Sequence, residues 1–232
     1  MKKTSDKKHE NSDTGEQETN SPPQNASASK HIELVKNRYD RIALCYDILT
    51  ARASWFSSNW RRRIWAEAEG RILDAGAGTG KNIPYYPQGS TVTAIDISNS
   101  MLEKAKKRAQ NLQKEVHLQQ MDLLNLSFDD ATFDTVVTTF VLSALPDPSE
   151  GLRELKRILK PGGKLLIAEY APPRSKPSQH IKKMVDSMAY YFFGPLKLVT
   201  EEHLQKAGLT DYKEERFWPT ARLWIINNSR DY

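Results

Sequence analysis

Three glycines and three aspartates carry the strongest chemical signal in this sequence. Gly76, Gly78 and Gly80 fall at alternate positions directly after Ile72-Leu73-Asp74-Ala75. Glycines so spaced let the backbone turn sharply, and a ligand can approach the main chain because no Cβ intervenes. Asp74 precedes them, Asp96 comes sixteen residues after Gly80, and Asp122 stands between Met121 and Leu123-Leu124. An ionised carboxylate only accepts hydrogen bonds, which suits vicinal sugar hydroxyls or an exocyclic amino group. Asp96 is therefore read as the acceptor for ribose hydroxyls. Asp122 is read as the acceptor for an adenine amino group, with its apolar neighbours flanking the ring. The dinucleotide pattern Gly-x-Gly-x-x-Gly is missed by one residue, since Lys81 follows Gly80, so the spacing suits a ligand without a pyrophosphate. Each feature alone has an ordinary reading: a tight turn, a helix-capping Asp96, a surface Asp122. Three carboxylates at the ends of three successive strands form a far more specific set.

Other chemistries find little support. There is no Ser/His/Asp arrangement and no metal-ligand spacing. The single cysteine, Cys45, excludes an intrachain disulfide framework and a thiolate-rich zinc site, and it predicts a reducing, cytoplasmic setting. His180 and His203 are general-base candidates on the acceptor side, set against a reading of each as an exposed structural histidine. The 232 residues suffice for one domain with a real core, and a net charge of +5 is read as solubility unless it clusters. No apolar run is long enough to span a bilayer, and no apolar stretch follows the basic N-terminus as it would in a secretory signal.

The elements that must position these residues follow from periodicity. Residues 1–30 hold five Lys against five Asp/Glu and no aromatic residue, and are expected to be a disordered polar tail; residues 31–232 would form the domain. Ile32, Val35, Tyr39, Ile42 and Tyr46 make one helical stripe. A second helix is predicted over 59–69, ended by Gly70. Strands are expected at 71–75, 91–96, 116–120, 133–140 and 164–169. Between them run a helix capped by Ser98 or Ser100 and another capped by Ser149, the latter carrying Leu152, Leu155 and Leu159. A helix over 200–207 and an antiparallel pair over 212–218 and 221–226 close the chain. Strand–helix alternation at this spacing predicts a parallel sheet covered on both faces, a doubly wound α/β fold.

The run from Ile72 to Glu169 resembles the core of the class I S-adenosylmethionine-dependent methyltransferases. Asp74-Ala75-Gly76-Ala77-Gly78-Thr79-Gly80 is similar to the family's glycine motif, and Ala94-Ile95-Asp96-Ile97-Ser98 with Ser100-Met101-Leu102 to its second motif. Phe133 to Val137 is similar to the fourth strand, and Leu155 to Gly163 to the helix and turn before the fifth. The resemblance implies a Rossmann-like seven-stranded sheet in the order 3-2-1-4-5-7-6 with strand 7 antiparallel. It also implies S-adenosyl-L-methionine as cofactor, with Asp74, Ala75, Gly76, Gly78, Gly80, Asp96, Ile97, Met101, Asp122, Leu123, Thr139 and Phe140 as its binding residues. Tyr39 to Asp47 resembles the first helix of methyltransferases acting on quinones, lipids and small molecules. This adds Tyr39 and Tyr46 over the methionyl end, where a sulfonium beside an aromatic face gains about 0.5–2 kcal/mol; both also read as core aromatics. A catalytic residue is not identified, and Tyr39, Tyr46 and His180 are the candidates.

Acceptor choice rests on residues 31–70, as lid helices, and on the insert 170–197. The insert holds Arg174, Lys176, His180, Lys182 and Lys183, then Met184, Met188 and Tyr190 to Phe193. With Trp55, Phe56, Trp60 and Trp65 beside Arg61 to Arg63, this composition suits a lid touching an anionic lipid surface, or one whose apolar face closes a dry pocket. The chain is similar to phosphatidylethanolamine N-methyltransferases, ubiquinone/menaquinone C-methyltransferases and microsomal thiol methyltransferases. The partner expected is thus a small-molecule or lipid acceptor with peripheral membrane contact, and neither a metal nor nucleic acid. Thr139-Phe140-Val141-Leu142 replaces the Asn-Pro-Pro-Tyr-type motif of base methylation. A non-catalytic, cofactor-binding partner subunit is the alternative of another class.

Overall fold

The computed structural model describes residues 24–49, 51–170, 197–218 and 221–228. Two helices, α1 (Gln24–Leu49) and α2 (Ala51–Trp65), precede the first strand. The strands are β1 (Arg71–Ala75), β2 (Thr91–Asp96), β3 (His117–Gln120), β4 (Phe133–Thr139), β5 (Leu159–Tyr170), β6 (Tyr212–Trp218) and β7 (Ala221–Asn227). Between them lie α3 (Asn99–Asn111), α4 (Pro148–Arg157) and α5 (Glu201–Lys206). The sheet order is β3-β2-β1-β4-β5-β7-β6, parallel throughout except for β7, which runs antiparallel to both neighbours. Order and direction match the expectation.

Adjacent apolar residues along each central strand point to opposite faces. Leu73, Val136, Leu165, Ile167, Trp224 and Ile226 pack with Leu152 and Leu155 of α4 and Leu204 of α5. Ile72, Val137, Leu166, Leu223 and Ile225 pack with Ile64 and Trp65 of α2 and Ala105 and Ala109 of α3. Burial on both faces explains why the strands read as continuous apolar runs rather than alternating ones.

Several boundaries differ from the sequence reading. α1 starts at Gln24, so 24–30 are helical where composition suggests tail; Ala26, Ala28 and Lys30 extend a helix nucleated downstream at little cost. Residues 1–23 lie outside the described residues. α2 ends at Trp65, where the amides of Glu67 and Ala68 bond back three residues to Ile64 and Trp65 and tighten the last turn. α4 is capped by Asp147, whose carboxylate accepts the Ser149 amide at 2.9 Å, with Pro148 preset for the first turn. Leu159 joins β5 instead of α4, and the Pro161-Gly162-Gly163 stretch is absorbed as an irregularity between the Phe133 and Thr135 pairings. Trp60 and Trp65, which the lipid-surface reading placed in a lid, are 7% and 1% exposed in the α2–sheet core. The side chains of Trp55 and Phe56 lie outside the described set.

Candidate functional site

The strand order reverses direction between β1 and β4, and the carboxyl ends of the strands leave a crevice there, where open α/β sheets bind ligands. A cleft of about 730 Å³, its open mouth included, occupies this place. Gly76, Gly78, Asp96, Ile97 and Met101 form its floor with Asp122, Leu123, Thr139 and Phe140, and Tyr39 and Tyr46 of α1 cover it. Eleven of the fourteen residues expected to hold the cofactor thus line one cavity.

The glycine loop is built for close approach. Gly76 has φ +81°, and a Cβ there would stand 2.1 Å from Val141 Cγ2. Gly78 has φ +55° and faces space empty to 4 Å, a cradle that a ligand can enter. Its amide donates to Asp96 Oδ2 at 2.8 Å, and the Ser98 amide donates to Asp96 Oδ1 at 2.9 Å. Burial pushes Asp96 up to about 6, although these amides favour the charged form. Each of its oxygens keeps a lone pair for a ribose hydroxyl. Asp122 Oδ1 accepts the Leu124 amide at 2.9 Å.

Asp74, Ala75 and Gly80 do not line the cleft. Asp74 is fully buried beneath the loop, accepting from Tyr86 Oη at 2.6 Å and Asn82 Nδ2 at 3.1 Å, and burial pushes it up to about 6. Ala75 is core. Gly80 lets α3 pack close, since a Cβ would meet Ile83 at 2.6 Å and Ala105 at 3.0 Å. These three shape the loop from below.

The roof is α1. The Tyr39 and Tyr46 rings lie 6.4 Å apart, and burial pushes both hydroxyls far above their ordinary value, so each stays neutral and offers a ring face rather than a phenolate base. Polar tethers hold the helix down. Asp40 accepts the Ser98 hydroxyl at 2.5 Å and the Ser100 amide at 3.3 Å. Asp47 accepts Thr79 Oγ1 and Arg108 Nη2, each at 2.7 Å, and His31 Nε2 meets the Ala144 carbonyl at 3.2 Å. The sequence reading missed these tethers, which carry no local signal. It also missed Ala144 and Leu145, which line the cleft with Ile32 and Val35 of the α1 stripe and with Val141. Phe140, with the uncommon φ of +58°, is held between the rings of Trp60 and Tyr170, 5.4 and 4.6 Å away.

His203 is not beside the cleft: its Nδ1 accepts the Thr200 amide at 3.1 Å and closes the first turn of α5. His180 lies outside the described residues. No group of metal-ligating side chains occurs among the described residues.

A model of the methyltransferase domain family matches residues 73–167. A phosphatidylethanolamine N-methyltransferase of Cereibacter sphaeroides is 34% identical over 66% of this chain and 75% of its own length. A demethylmenaquinone methyltransferase of Renibacterium salmoninarum is 32% identical over 88% of this chain and 80% of its own. The chain belongs to the S-adenosylmethionine-dependent methyltransferases. The fold agrees: a solved methyltransferase of Thermotoga maritima superimposes with a TM-score of 0.65 over 84% of this chain and all of that one, at 20% identity. The family and fold imply S-adenosylmethionine as methyl donor. The open cradle at Gly78 and the carboxylates of Asp96 and Asp122 fit its nucleoside.

Proposed function

We propose that this methyltransferase acts on a lipophilic acceptor of the phospholipid-amine or quinone type. One observation carries the reading: apart from the residues assigned to the donor, the cleft lining is apolar throughout, made by Ile32, Val35, Ile95, Met121, Val141, Ala144 and Leu145. A strongly hydrated acceptor would lose its water there with nothing to replace it, whereas an apolar one gains by burial. The relatives named for phosphatidylethanolamine and menaquinone support the same class.

When bound, the donor supplies an electrophilic sulfonium methyl, so the protein need not build a nucleophile. Its work is positioning. Asp96, held in place by the Gly78 amide, would take the ribose hydroxyls, Asp122 would accept from the base, and Met101 and Leu123 would flank it. Tyr39 and Tyr46 would offer neutral ring faces to the sulfonium, and α1 would shut out water. The basic and aromatic insert of 170–197, described only at Tyr170 and Lys197, would bring the cleft to an anionic lipid surface. No helix among the described residues is long and apolar enough to cross a membrane.

Labelled donor incubated with phosphatidylethanolamine vesicles, a demethylmenaquinone and alkyl thiols tests this. Label in the lipid or the quinone is the expected result. Label in the thiols alone would replace the acceptor class, and donor binding without transfer to any of them would make the chain a non-catalytic module. Flotation of the protein with anionic vesicles at low but not high salt checks the membrane part.

A further inference from the structure

Glu169, the penultimate residue of β5, is a fully buried carboxyl group. Donors converge on it. Its Oε1 accepts the Ser143 hydroxyl and the Tyr170 amide, each at 2.9 Å, and its Oε2 accepts the Ser143 amide at 3.3 Å. Burial pushes the group up to about 7, while the amides of Tyr170, Ser143 and Leu142 favour its charged form. An ionised carboxylate only accepts, so donors on several sides suit the ion rather than the acid. The donor site makes no use of this group, and Glu169 does not line the cleft.

What Glu169 holds does line the cleft. Leu142–Ala144 is a single 3-10 turn after β4, and Val141, Ala144 and Leu145, in and beside that turn, face the cavity. The turn lies beyond the last β4–β5 pair, Thr139 with Ala168, so the ladder does not fix its height over the sheet. It also follows Phe140, whose φ of +58° persists only where the structure on both sides enforces it. On one side the Phe140 amide bonds the Ala168 carbonyl at 2.8 Å; on the other stands the clasp between Ser143 and Glu169. Two more ties meet there: the Lys197 amide donates to the Ser143 carbonyl at 2.7 Å, and His31 Nε2 of α1 meets the Ala144 carbonyl at 3.2 Å.

We propose that Glu169 is a positioning residue for the acceptor: through Ser143 it sets the wall of Val141, Ala144 and Leu145 against which a lipophilic group packs. The inference rests on the acceptor reading above and adds to it a residue outside the cleft lining. Protonation puts a donor where the backbone supplies donors, so the clasp weakens as pH falls through about 7. Around Glu169 stand Tyr39 of α1 and Tyr170, both kept neutral by burial, and Arg222, opposite it on β7 and paired with Glu214 at 3.3 Å. Lys197 Nζ donates to the Pro146 carbonyl, and His203 of α5 is bonded to Thr200.

Methyl transfer by the whole chain from labelled S-adenosylmethionine to phosphatidylethanolamine vesicles and to a demethylmenaquinone, followed across neutral pH, tests it. Glu169→Gln keeps the shape and turns one acceptor into a donor. It is expected to raise the acceptor KM about tenfold and to shift S-adenosylhomocysteine affinity less than about twofold. It should also remove the rise of kcat/KM through about pH 7 that the wild-type chain shows. Ionisation of Asp96 or of an amine acceptor affects both chains alike, so the difference between their profiles reads Glu169. Ser143→Ala removes the hydroxyl from the other side of the clasp. It is expected to raise the same KM by a smaller factor, and it decides the matter should Glu169→Gln fail to fold. An acceptor KM unchanged in both variants, or donor affinity lost in step with it, would make Glu169 a support of the fold alone and overturn the proposal. A wild-type chain that binds S-adenosylhomocysteine yet labels neither acceptor would overturn the acceptor reading itself, and this inference with it.

Discussion

The floor and the roof of the cleft are held by different forces. The floor is made of strand ends, and the parallel ladders β2-β1-β4 fix Gly76, Gly78, Asp96 and Thr139 relative to one another before any side chain acts. The roof is one helix lying across those ends, tethered through Asp40, Asp47 and His31. Their acids differ as well. Burial raises Asp74 and Asp96 to about 6 and Glu169, at the end of β5, to about 7. Asp40 on the roof is held below its ordinary value, because hydrogen bonds from Ser98 and Lys36 outweigh its burial. The difference teaches that backbone pairing sets the floor and side-chain contacts set the roof, so loss of a tether should loosen α1 without unfolding the sheet.

The sharpest break is expected at the floor. Gly76→Ala forces a Cβ against Val141 in a positive-φ backbone and should cost about 2–4 kcal/mol of stability, read from the denaturation midpoint. Gly78→Ala meets no atom within 4 Å and should cost only about 1–2 kcal/mol while still abolishing close approach of a ligand. Equal stabilities for the two variants would show that Val141 yields. Next in size is Asp96→Ala, which should lose about 1–3 kcal/mol of donor binding in calorimetry, since ribose hydroxyls lose their acceptor.

How much of this the sequence revealed divides along the same line. The floor is legible because its signal is local: glycines at alternate positions and carboxylates at successive strand tips. The roof is legible only as a stripe ending in Tyr39 and Tyr46. Its tethers join Asp47 to Arg108 and Asp40 to Ser98, pairs about sixty residues apart that only the fold brings together. Trp60 and Trp65 misled for a related reason, since an aromatic beside arginines looks the same in sequence whether it faces lipid or the underside of a sheet. Asp74 sits among the cofactor motif yet serves the loop, because burial of a strand's last residue depends on what covers it, here Asn82 and Tyr86.

pH should separate stability from binding. The folded chain holds protons on Asp74, Asp96 and Glu169 at pH values where the unfolded chain has released them, so their contribution to stability is lost as pH rises from about 4 through 7. Carboxylates held low, such as Asp134 and Glu154, are already ionised in both states over the upper part of that window. The melting temperature is therefore expected to fall between pH 5.5 and pH 8, and Glu169→Gln should flatten the upper part. Donor affinity should move the other way, rising with pH through about 6 as Asp96 ionises, and Asp96→Asn should remove that rise. A smaller effect is expected at the roof. Asp47→Ala removes part-exposed contacts worth roughly 1 kcal/mol together, and should speed amide exchange in α1 while leaving the β1 and β4 amides unchanged.

The claim that floor and roof close on one donor is tested most directly by amide hydrogen exchange with and without S-adenosylhomocysteine. The account predicts added protection at two places at once, the loop from Gly76 to Gly80 and the α1 segment from Ile32 to Tyr46. Protection confined to the loop, with α1 exchanging as before, would contradict it.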